Sequence, residues 1–360
     1  MPKLSRFSNK IARQVGAVRP KAVPAKIIRH AAMFHGDIPT THRSSGIGEI
    51  LNPPSSRAPT NFVVHEDWAE KPVARREISG VVYTPDGLAF QGRAVDLDLS
   101  TSRYMSVGQL LKRQALWNLE TVNEGTIVAA EHPNTYGDWI SEHMKSLALA
   151  GKIREPLLLP ARFANRAYVG EGLTRLRIAW KIVDRPVLIR SATALLKRRP
   201  INLWTANEVQ AYRARLGIAS MQPQPRSLIY LSRSGVVSEQ RQADRMYPSA
   251  EIARIVERAG GRVVLTGRTT SNEFRSLAAE AETVIADHGA AVFNLLEWNT
   301  RHVVEIAANN WWSSCFVFLS ASLGADSHGV IAADQHPGDQ LEAVIGKHLG
   351  RIGDYQAHRD

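Results

Sequence analysis

Residues 287–294, DHGAAVFN, place small and polar side chains directly after a short apolar run that is typical of a buried strand. At the carboxyl edge of a parallel sheet, such a loop lies where ligands bind, and small residues expose the first N–H groups of the following helix to an anion. We therefore expect Gly289 and Ala290 to bind a phosphate or diphosphate. His288 can add a donor, and Asn294 can face the same ligand or pin the loop. The alternative is that the small residues only permit a tight turn.

Two further charged residues lie at or near the ends of predicted strands. Arg233 ends the apolar run at 227–233, so its guanidinium should emerge at the same edge as His288. Glu305 lies near the end of the run at 302–307, and acidic residues at strand ends accept hydrogen bonds from ribose hydroxyls in nucleotide sites. The pattern favours a nucleotide diphosphate, although a single arginine can also be an ordinary surface residue.

Asp138 and His143 are the candidates for proton transfer in the first half of the chain. They follow a predicted strand and begin a predicted helix over 138–151, in which Asp138 and Glu142 share a face four residues apart. A carboxylate there could act as general base towards a hydroxyl, with His143 as the second choice. The alternative is ordinary helix chemistry, in which Asp138 is favoured by the helix dipole while Glu142 and His143 are solvated.

Several other site types lack support in the sequence. No G-x-G-x-x-G follows a predicted strand and no G-x-x-x-x-G-K-[ST] occurs, which weighs against a dinucleotide oxidoreductase and a P-loop NTPase. Asp96 and Asp98 spell D-x-D, a pattern that holds metal ions in some sugar transferases, but no nucleotide-binding βαβ unit precedes it and we assign no metal ligand. Cys315 is the only cysteine, which excludes a thiolate zinc cluster, and its apolar surroundings predict a core position.

Alternating strands and helices must position these residues. Strands at 227–233, 262–267, 283–287 and 302–307, separated by helices, predict a doubly wound parallel sheet. Earlier runs at 126–132, 155–160 and 185–191 also predict parallel pairing, and a turn at 85–87 predicts a hairpin over 80–90.

Composition and prolines suggest four segments. They are a basic, Pro-containing tail over 1–62 that is amphipathic at 3–16, an α/β domain over 63–217, a second α/β domain over 227–335, and a helix and tail over 336–360. Eight of the eleven surplus positive charges precede the first acidic residue, Asp37. The tail is a candidate for contact with an anionic membrane, for a transit peptide, or for a solubilising extension. Nucleic-acid binding is disfavoured because Phe7 is the only Phe, Tyr or Trp among the basic residues at 3–29 and the predicted domains carry no basic stripe. No apolar run is long enough for a membrane-spanning helix.

Four motifs together resemble glycosyltransferase family 61, a family linked to capsular polysaccharide biosynthesis. They are YGDW at 136–139, IYLSR at 229–233, IADHGAAVFNLL at 285–296 and VVEI at 303–306. The resemblance spans roughly 80–330 and implies a GT-B-like architecture, with two Rossmann-like parallel-sheet domains facing a cleft. Many members have histidine where this chain has Asp138, and residues 241–245 match the family's arginine-rich segment only loosely.

The resemblance implies an inverting glycosyltransferase of surface polysaccharide biosynthesis. A nucleotide-diphosphate sugar would be the donor substrate on the second domain, a glycan or glycolipid the acceptor on the first, and no metal would be obligatory. Arg233, His288 and the N–H groups after Gly289 would neutralise the diphosphate, and Glu305 would hold the ribose. Asp138 would remove the acceptor proton. The expected location is cytoplasmic, with the basic tail able to contact the inner face of the membrane.

Two alternatives stay open. A noncatalytic member that binds sugar nucleotides or glycans is favoured if Asp138 marks a decayed site. An NAD- or phosphosugar-dependent enzyme on a Rossmann-like domain would share the alternating pattern of strands and helices.

Overall fold

The computed structural model describes residues 73–91, 94–96, 99–100, 119–130, 135–196, 203–218, 227–234, 247–277, 281–307, 315–333 and 336–357. The described residues up to 196 form one compact unit, here the first unit, and those from Leu203 onwards form the second unit. The predicted tail at 1–62, its amphipathic stretch at 3–16 and the arginine-containing segment 241–245 lie outside the described residues. Within the described part, no helix is long and apolar enough to cross a bilayer.

The first unit contains a seven-stranded mixed sheet in the order β3-β2-β1-β7-β4-β5-β6. The strands are β1 (Arg75–Tyr83), β2 (Ala89–Gln91), β3 (Ala94–Val95), β4 (Glu120–Val128), β5 (Leu157–Pro160), β6 (Trp180–Val183) and β7 (Val187–Leu195). Strands β7, β4 and β5 are parallel, which confirms the pairing expected for the runs at 126–132, 155–160 and 185–191, and β6 adds a further parallel strand. Strands β1, β2 and β3 extend the sheet in antiparallel fashion.

The predicted hairpin is confirmed between β1 and β2, where Tyr83 pairs with Ala89. Its turn closes by a 2.8 Å hydrogen bond from the Gly87 N–H to the Thr84 carbonyl. Gly87 has φ +82°, which a glycine adopts without steric cost.

Helix α1 of the first unit begins directly after a capping box. It consists of Tyr136–Asp138, a π-helical segment Trp139–Met144 and Lys145–Leu149, and it is followed by a 3₁₀ turn Ala161–Phe163 and by helix α2 (Ala167–Leu176). The helix predicted at 138–151 is therefore confirmed. The chain leaves it at Gly151, whose φ is +74°.

The second unit contains five parallel strands in the order β12-β11-β10-β8-β9. They are β8 (Leu228–Ser232), β9 (Arg262–Leu265), β10 (Thr283–Asp287), β11 (His302–Ala307) and β12 (Ser327–Ala332). The helices are α3 (Ala206–Leu216), α4 (Ser249–Arg258), α5 (Ser271–Ser276), α6 (Cys315–Leu323) and α7 (Asp339–Ala357), with a 3₁₀ helix at Ala290–Glu297. The chain is thus α/β with two sheets rich in parallel pairs, and the second unit has the predicted Rossmann-like alternation.

One face of the second sheet carries a large apolar cluster. Tyr230, Ile285, Val304, Ile306 and Ile331 on this face pack with residues of α4 and α7 into a single buried cluster. Because side chains alternate along a strand, Glu305, which lies between two members of that cluster, faces the opposite side of the sheet.

The structure differs from the sequence-based expectations at three places. One of the helices expected between the predicted strands, Ala290–Glu297, is a 3₁₀ helix. Strands β6 and β12 were not predicted. Helix α3, which the sequence places in the domain over 63–217, belongs to the second unit because Arg213 donates hydrogen bonds to the carbonyls of Leu296 (2.8 Å) and Trp298.

Candidate functional site

The second sheet has a topological switch point between β8 and β10. From β8 the chain passes through α4 to β9 on one side, and it later enters β10 on the other side of β8. Connections that leave in opposite directions open a crevice beyond the carboxyl ends of two such strands, and ligands of open α/β sheets bind there. Arg233 directly follows β8 and His288 directly follows β10, so the structure brings these two predicted residues together at this point.

Arg233 is bound to the main chain of His288. Its Nη1 donates a 3.0 Å hydrogen bond to the His288 carbonyl, and the Tyr247 hydroxyl donates to the same oxygen at 2.9 Å. The side chain is half-buried, and the described residues offer no other hydrogen-bond acceptor for its guanidinium. Arg233 therefore has one N–H committed and further N–H groups available at the switch point.

Gly289 is required by both its conformation and its surroundings. Its φ of +153° and ψ of −170° are values that side-chain-bearing residues rarely adopt. A Cβ built on this residue would also overlap the Arg233 guanidinium. The absence of a side chain at Gly289 thus lets the arginine lie directly against the loop.

The loop continues into the 3₁₀ helix that starts at Ala290. Asn294 is buried, and its Nδ2 donates a 2.7 Å hydrogen bond to the Ala291 carbonyl. Of the two roles considered for Asn294, the one supported by this contact is pinning the loop.

Asp287 organises the switch point and is a residue that the sequence did not single out. Its carboxylate is fully buried and accepts hydrogen bonds from the Tyr230 hydroxyl (2.7 Å), the Arg233 main-chain N–H (2.8 Å) and the Ser249 hydroxyl (3.3 Å). Burial raises the pKa of Asp287 to about 6, even though these donors and the charge of Arg233 lower it. The available signal was an aspartate at the end of an otherwise apolar strand.

His288 belongs to a buried chain of four polar side chains, here called the histidine–glutamate chain. His288 Nδ1 is hydrogen-bonded to Oε1 of Glu305, Oε2 of Glu305 lies 3.1 Å from Nε2 of His328, and Nδ1 of His328 lies 2.7 Å from the Ser320 hydroxyl. All four side chains are buried, with Glu305 and His328 at 0% exposure.

The strand register explains why these groups meet. In the parallel pairing of β11 with β12, His328 lies opposite Val303, two residues before Glu305. Residues two apart in a strand share a face, so Glu305 and His328 project from the same side of the sheet.

This placement replaces the interpretation of Glu305 as a ribose ligand. The side chain is fully buried and both carboxylate oxygens are already bound, one by each histidine. Burial alone would raise the pKa of Glu305, but the charge and hydrogen bond of His288, together with those of His328, lower it to about 2. Glu305 is therefore an ionised group that orients His288.

Asp138 serves as a helix cap in the first unit. Its carboxylate accepts the Thr135 N–H at 3.0 Å, and its own N–H donates to the Thr135 hydroxyl at 3.2 Å. This reciprocal pair is a capping box, which agrees with the alternative of ordinary N-terminal helix chemistry for Asp138.

His143 is not a solvated residue, and its ring packs among aromatic side chains. It is 1% exposed, stacks on Trp139 with ring centroids 5.2 Å apart, and contacts Phe163 edge-on. Burial, with a smaller contribution from the charge of Arg162, lowers the pKa of His143 to about 3. Glu142 is also buried, which contradicts the expectation that these two residues are solvated.

The remaining candidates from the sequence have structural roles. Asp96 forms an ion pair with Arg76 at 3.3 Å, while Asp98 lies outside the described residues. Cys315 is buried in α6, which confirms its core position. Among the residues with described positions, no three or more His, Cys, Asp or Glu side chains are grouped to hold a metal ion.

Comparison with known proteins finds no matching family model and no matching curated protein.

Proposed function

We propose that this chain is an inverting glycosyltransferase that moves a sugar from a nucleotide-diphosphate sugar to a glycan or glycolipid acceptor. The single observation that carries the proposal is the position of Arg233 at the switch point, where it lies against Gly289 and has N–H groups that no described residue accepts.

The chemistry of this site suits a diphosphate. A guanidinium presents planar donors that match phosphoryl oxygens, and the bare backbone at Gly289 allows a ligand to approach the loop closely. When the sugar is transferred, negative charge grows on the departing diphosphate. Donors that are already held in place stabilise that charge most effectively, and Arg233 is held by Tyr247 and by the loop through the His288 carbonyl.

The finer parts of the proposal rest on the motifs that resemble family 61. They are the GT-B-like arrangement of two Rossmann-like domains, an acceptor bound by the first domain, independence of metal, and a role in surface polysaccharide biosynthesis. A cytoplasmic location with the basic tail against an anionic membrane belongs to the same proposal.

A thermal-shift panel tests the donor site. Wild-type protein is heated with individual sugar nucleotides, nucleoside diphosphates and NAD, with and without a divalent cation, because a ligand that binds the folded state raises Tm. We expect sugar nucleotides to stabilise wild type, and Arg233→Ala to lose that stabilisation.

The matched control is Arg254→Ala. Arg254 is an exposed arginine of α4 with no hydrogen bond or ion pair to any described residue, so its loss removes the same charge elsewhere in the unit. Stabilisation by NAD that sugar nucleotides do not compete away, or an unchanged response in Arg233→Ala, would overturn the proposal.

A second candidate is a noncatalytic protein that binds sugar nucleotides or glycans. It is favoured by one observation, namely that the two residues expected to act as base are a helix cap and a buried neutral histidine. Hydrolysis of the donor sugar nucleotide in the absence of an acceptor would exclude this candidate, since a pure binding protein leaves its ligand intact.

A further inference from the structure

The histidine–glutamate chain supplies a proton acceptor that the first unit does not. Asp138 is committed to the capping box, and His143 is stacked on Trp139, has no carboxylate bonded to its ring among the described residues, and has its pKa lowered to about 3. We propose that His288 is the catalytic base, which takes the proton of the acceptor hydroxyl through Nε2, and that Glu305, His328 and Ser320 are positioning residues. This inference rests on the proposed transferase function.

Glu305 determines which nitrogen of His288 can act. An ionised carboxylate only accepts hydrogen bonds, so the neutral His288 ring must carry its proton on Nδ1, facing Oε1 of Glu305. The lone pair is then on Nε2, for which the described residues provide no hydrogen-bond partner. A carboxylate behind one imidazole nitrogen, with the other nitrogen available to substrate, is the arrangement by which histidine acts as a general base in hydrolytic triads.

The other half of the chain keeps Glu305 in place. Nε2 of His328 donates to Oε2 of Glu305, so neutral His328 has its lone pair on Nδ1, where it accepts the Ser320 hydroxyl proton. Every proton of the four side chains then has an assigned acceptor. The carboxylate is bound on both oxygens and cannot rotate without breaking a buried hydrogen bond.

The main chain of His288 is fixed as well. Its carbonyl accepts hydrogen bonds from Arg233 and Tyr247, and its N–H donates to the Ile306 carbonyl at 2.8 Å. The imidazole is thus anchored beside the loop that we propose to bind the diphosphate, and a base must lie near the atom from which the diphosphate departs.

The transfer step balances with these groups. The acceptor hydroxyl oxygen forms a bond to the anomeric carbon as its proton moves to Nε2 of His288. The bond between that carbon and the diphosphate oxygen breaks, and its electron pair leaves with the diphosphate. The resulting imidazolium is stabilised by Glu305, and the proton is later released to solvent.

Nitrogen NMR of histidine-labelled full-length protein tests the tautomer directly. The signals of His288 are assigned by their loss in His288→Gln. At a pH where the ring is neutral, we expect its proton on Nδ1 in wild type, and loss of this preference in Glu305→Gln, whose amide can donate as well as accept. A wild-type proton on Nε2 would overturn the inference.

Donor hydrolysis, with water as acceptor, tests the role in catalysis. Using the sugar nucleotide that stabilises wild type most, we expect His288→Gln to lower the hydrolysis rate about 10²- to 10⁴-fold while the Tm increase with that ligand is retained. Glu305→Gln should also lower the rate without abolishing binding. Ser327→Ala is the matched control: Ser327 is hydrogen-bonded to His302 at 2.9 Å in the same sheet, outside the histidine–glutamate chain, and we expect an unchanged rate.

The outcomes separate the two proposals. If His288→Gln loses ligand stabilisation as Arg233→Ala does, or keeps the wild-type rate, His288 is not the base although the chain still binds sugar nucleotides. If no sugar nucleotide stabilises wild type, the proposed function fails and the inference fails with it.

Discussion

The guanidinium of Arg233 occupies the space that a side chain at Gly289 would need. The two residues follow different strands, β8 and β10, and the hydrogen bond from Arg233 Nη1 to the His288 carbonyl holds them together. The glycine and the arginine are therefore one structural unit, since a change at either position alters the other.

Gly289→Ala is expected to destabilise the second unit and to weaken nucleotide binding. The strained backbone and the overlap with Arg233 should cost about 2–4 kcal/mol in the free energy of unfolding. Urea unfolding and the thermal shift with a sugar nucleotide measure the two effects.

The control for this change is Gly260→Ala. Gly260 has φ +78° but open space where a Cβ would lie. Gly260→Ala should lose only about 1–2 kcal/mol of the free energy of unfolding, because the left-handed backbone conformation is strained for alanine. Its Tm should rise with a sugar nucleotide as much as that of wild type does. Equal ligand responses in both variants would contradict the coupling between Gly289 and Arg233.

Asp287→Asn should change the pH dependence of stability. The folded protein holds the Asp287 proton up to about pH 6, whereas an unperturbed aspartate releases it near 3.8. Unfolding therefore releases a proton between these values, and the free energy of unfolding of wild type falls as the pH rises through this interval, by about 3 kcal/mol in total. Urea unfolding from pH 4 to pH 7 should show wild type losing most of this amount relative to Asp287→Asn. Parallel curves would contradict the raised pKa.

His143→Phe should make the first unit less sensitive to acid. The pKa of His143 is lowered from 6.5 to about 3, so the unfolded chain binds a proton that the folded chain excludes as the pH falls below 6.5. The free energy of unfolding of wild type therefore falls as the pH decreases, by about 3 kcal/mol at pH 4. Phenylalanine keeps the stacking on Trp139 without the proton. Denaturation from pH 7 to pH 4 measures the difference, and an equal loss in wild type and variant would argue against a buried neutral histidine.

Asp138→Ala should cost stability and spare catalysis. Loss of the capping box is expected to reduce the free energy of unfolding by about 1 kcal/mol. Asp138→Asn retains an oxygen for the Thr135 N–H and should cost less. Donor hydrolysis should proceed at the wild-type rate in both variants, and a fall of two orders of magnitude in Asp138→Asn would return the role of base to Asp138.

The predictable parts of the second unit were those that depend on local pattern. Apolar runs of strand length placed β8, β9, β10 and β11, and the ends of β8 and β10 placed Arg233 and His288 at one edge of the sheet. The sequence could not distinguish a 3₁₀ helix from an α-helix at Ala290–Glu297, because the spacing of its apolar residues suits either helix type.

The side-chain partners of the site depend on register, which the sequence does not contain. Glu305 lies near a strand end, which suggested a contact with a ligand. The pairing of β11 with β12 instead places its side chain beside that of His328, where it is fully buried. Ser320 is one of two serines in an otherwise apolar helix, and β12 was not predicted, so neither Ser320 nor His328 could be connected to His288. Asp138 and His143 were selected by residue type, which does not distinguish a cap or a buried ring from a base.

The second sheet has two sides of different character. The side facing α4 and α7 holds the apolar cluster, with the Asp287 carboxylate bonded to Tyr230 and Ser249 at its edge, while the histidine–glutamate chain lies on the other side. The apolar cluster and the proposed proton path therefore lie on opposite sides of one sheet. Substitutions that improve packing at Ile255, Ile285 or Ile345 can raise the free energy of unfolding without touching the four side chains of the histidine–glutamate chain. Thermal stability and the proposed catalytic rate can therefore be engineered independently.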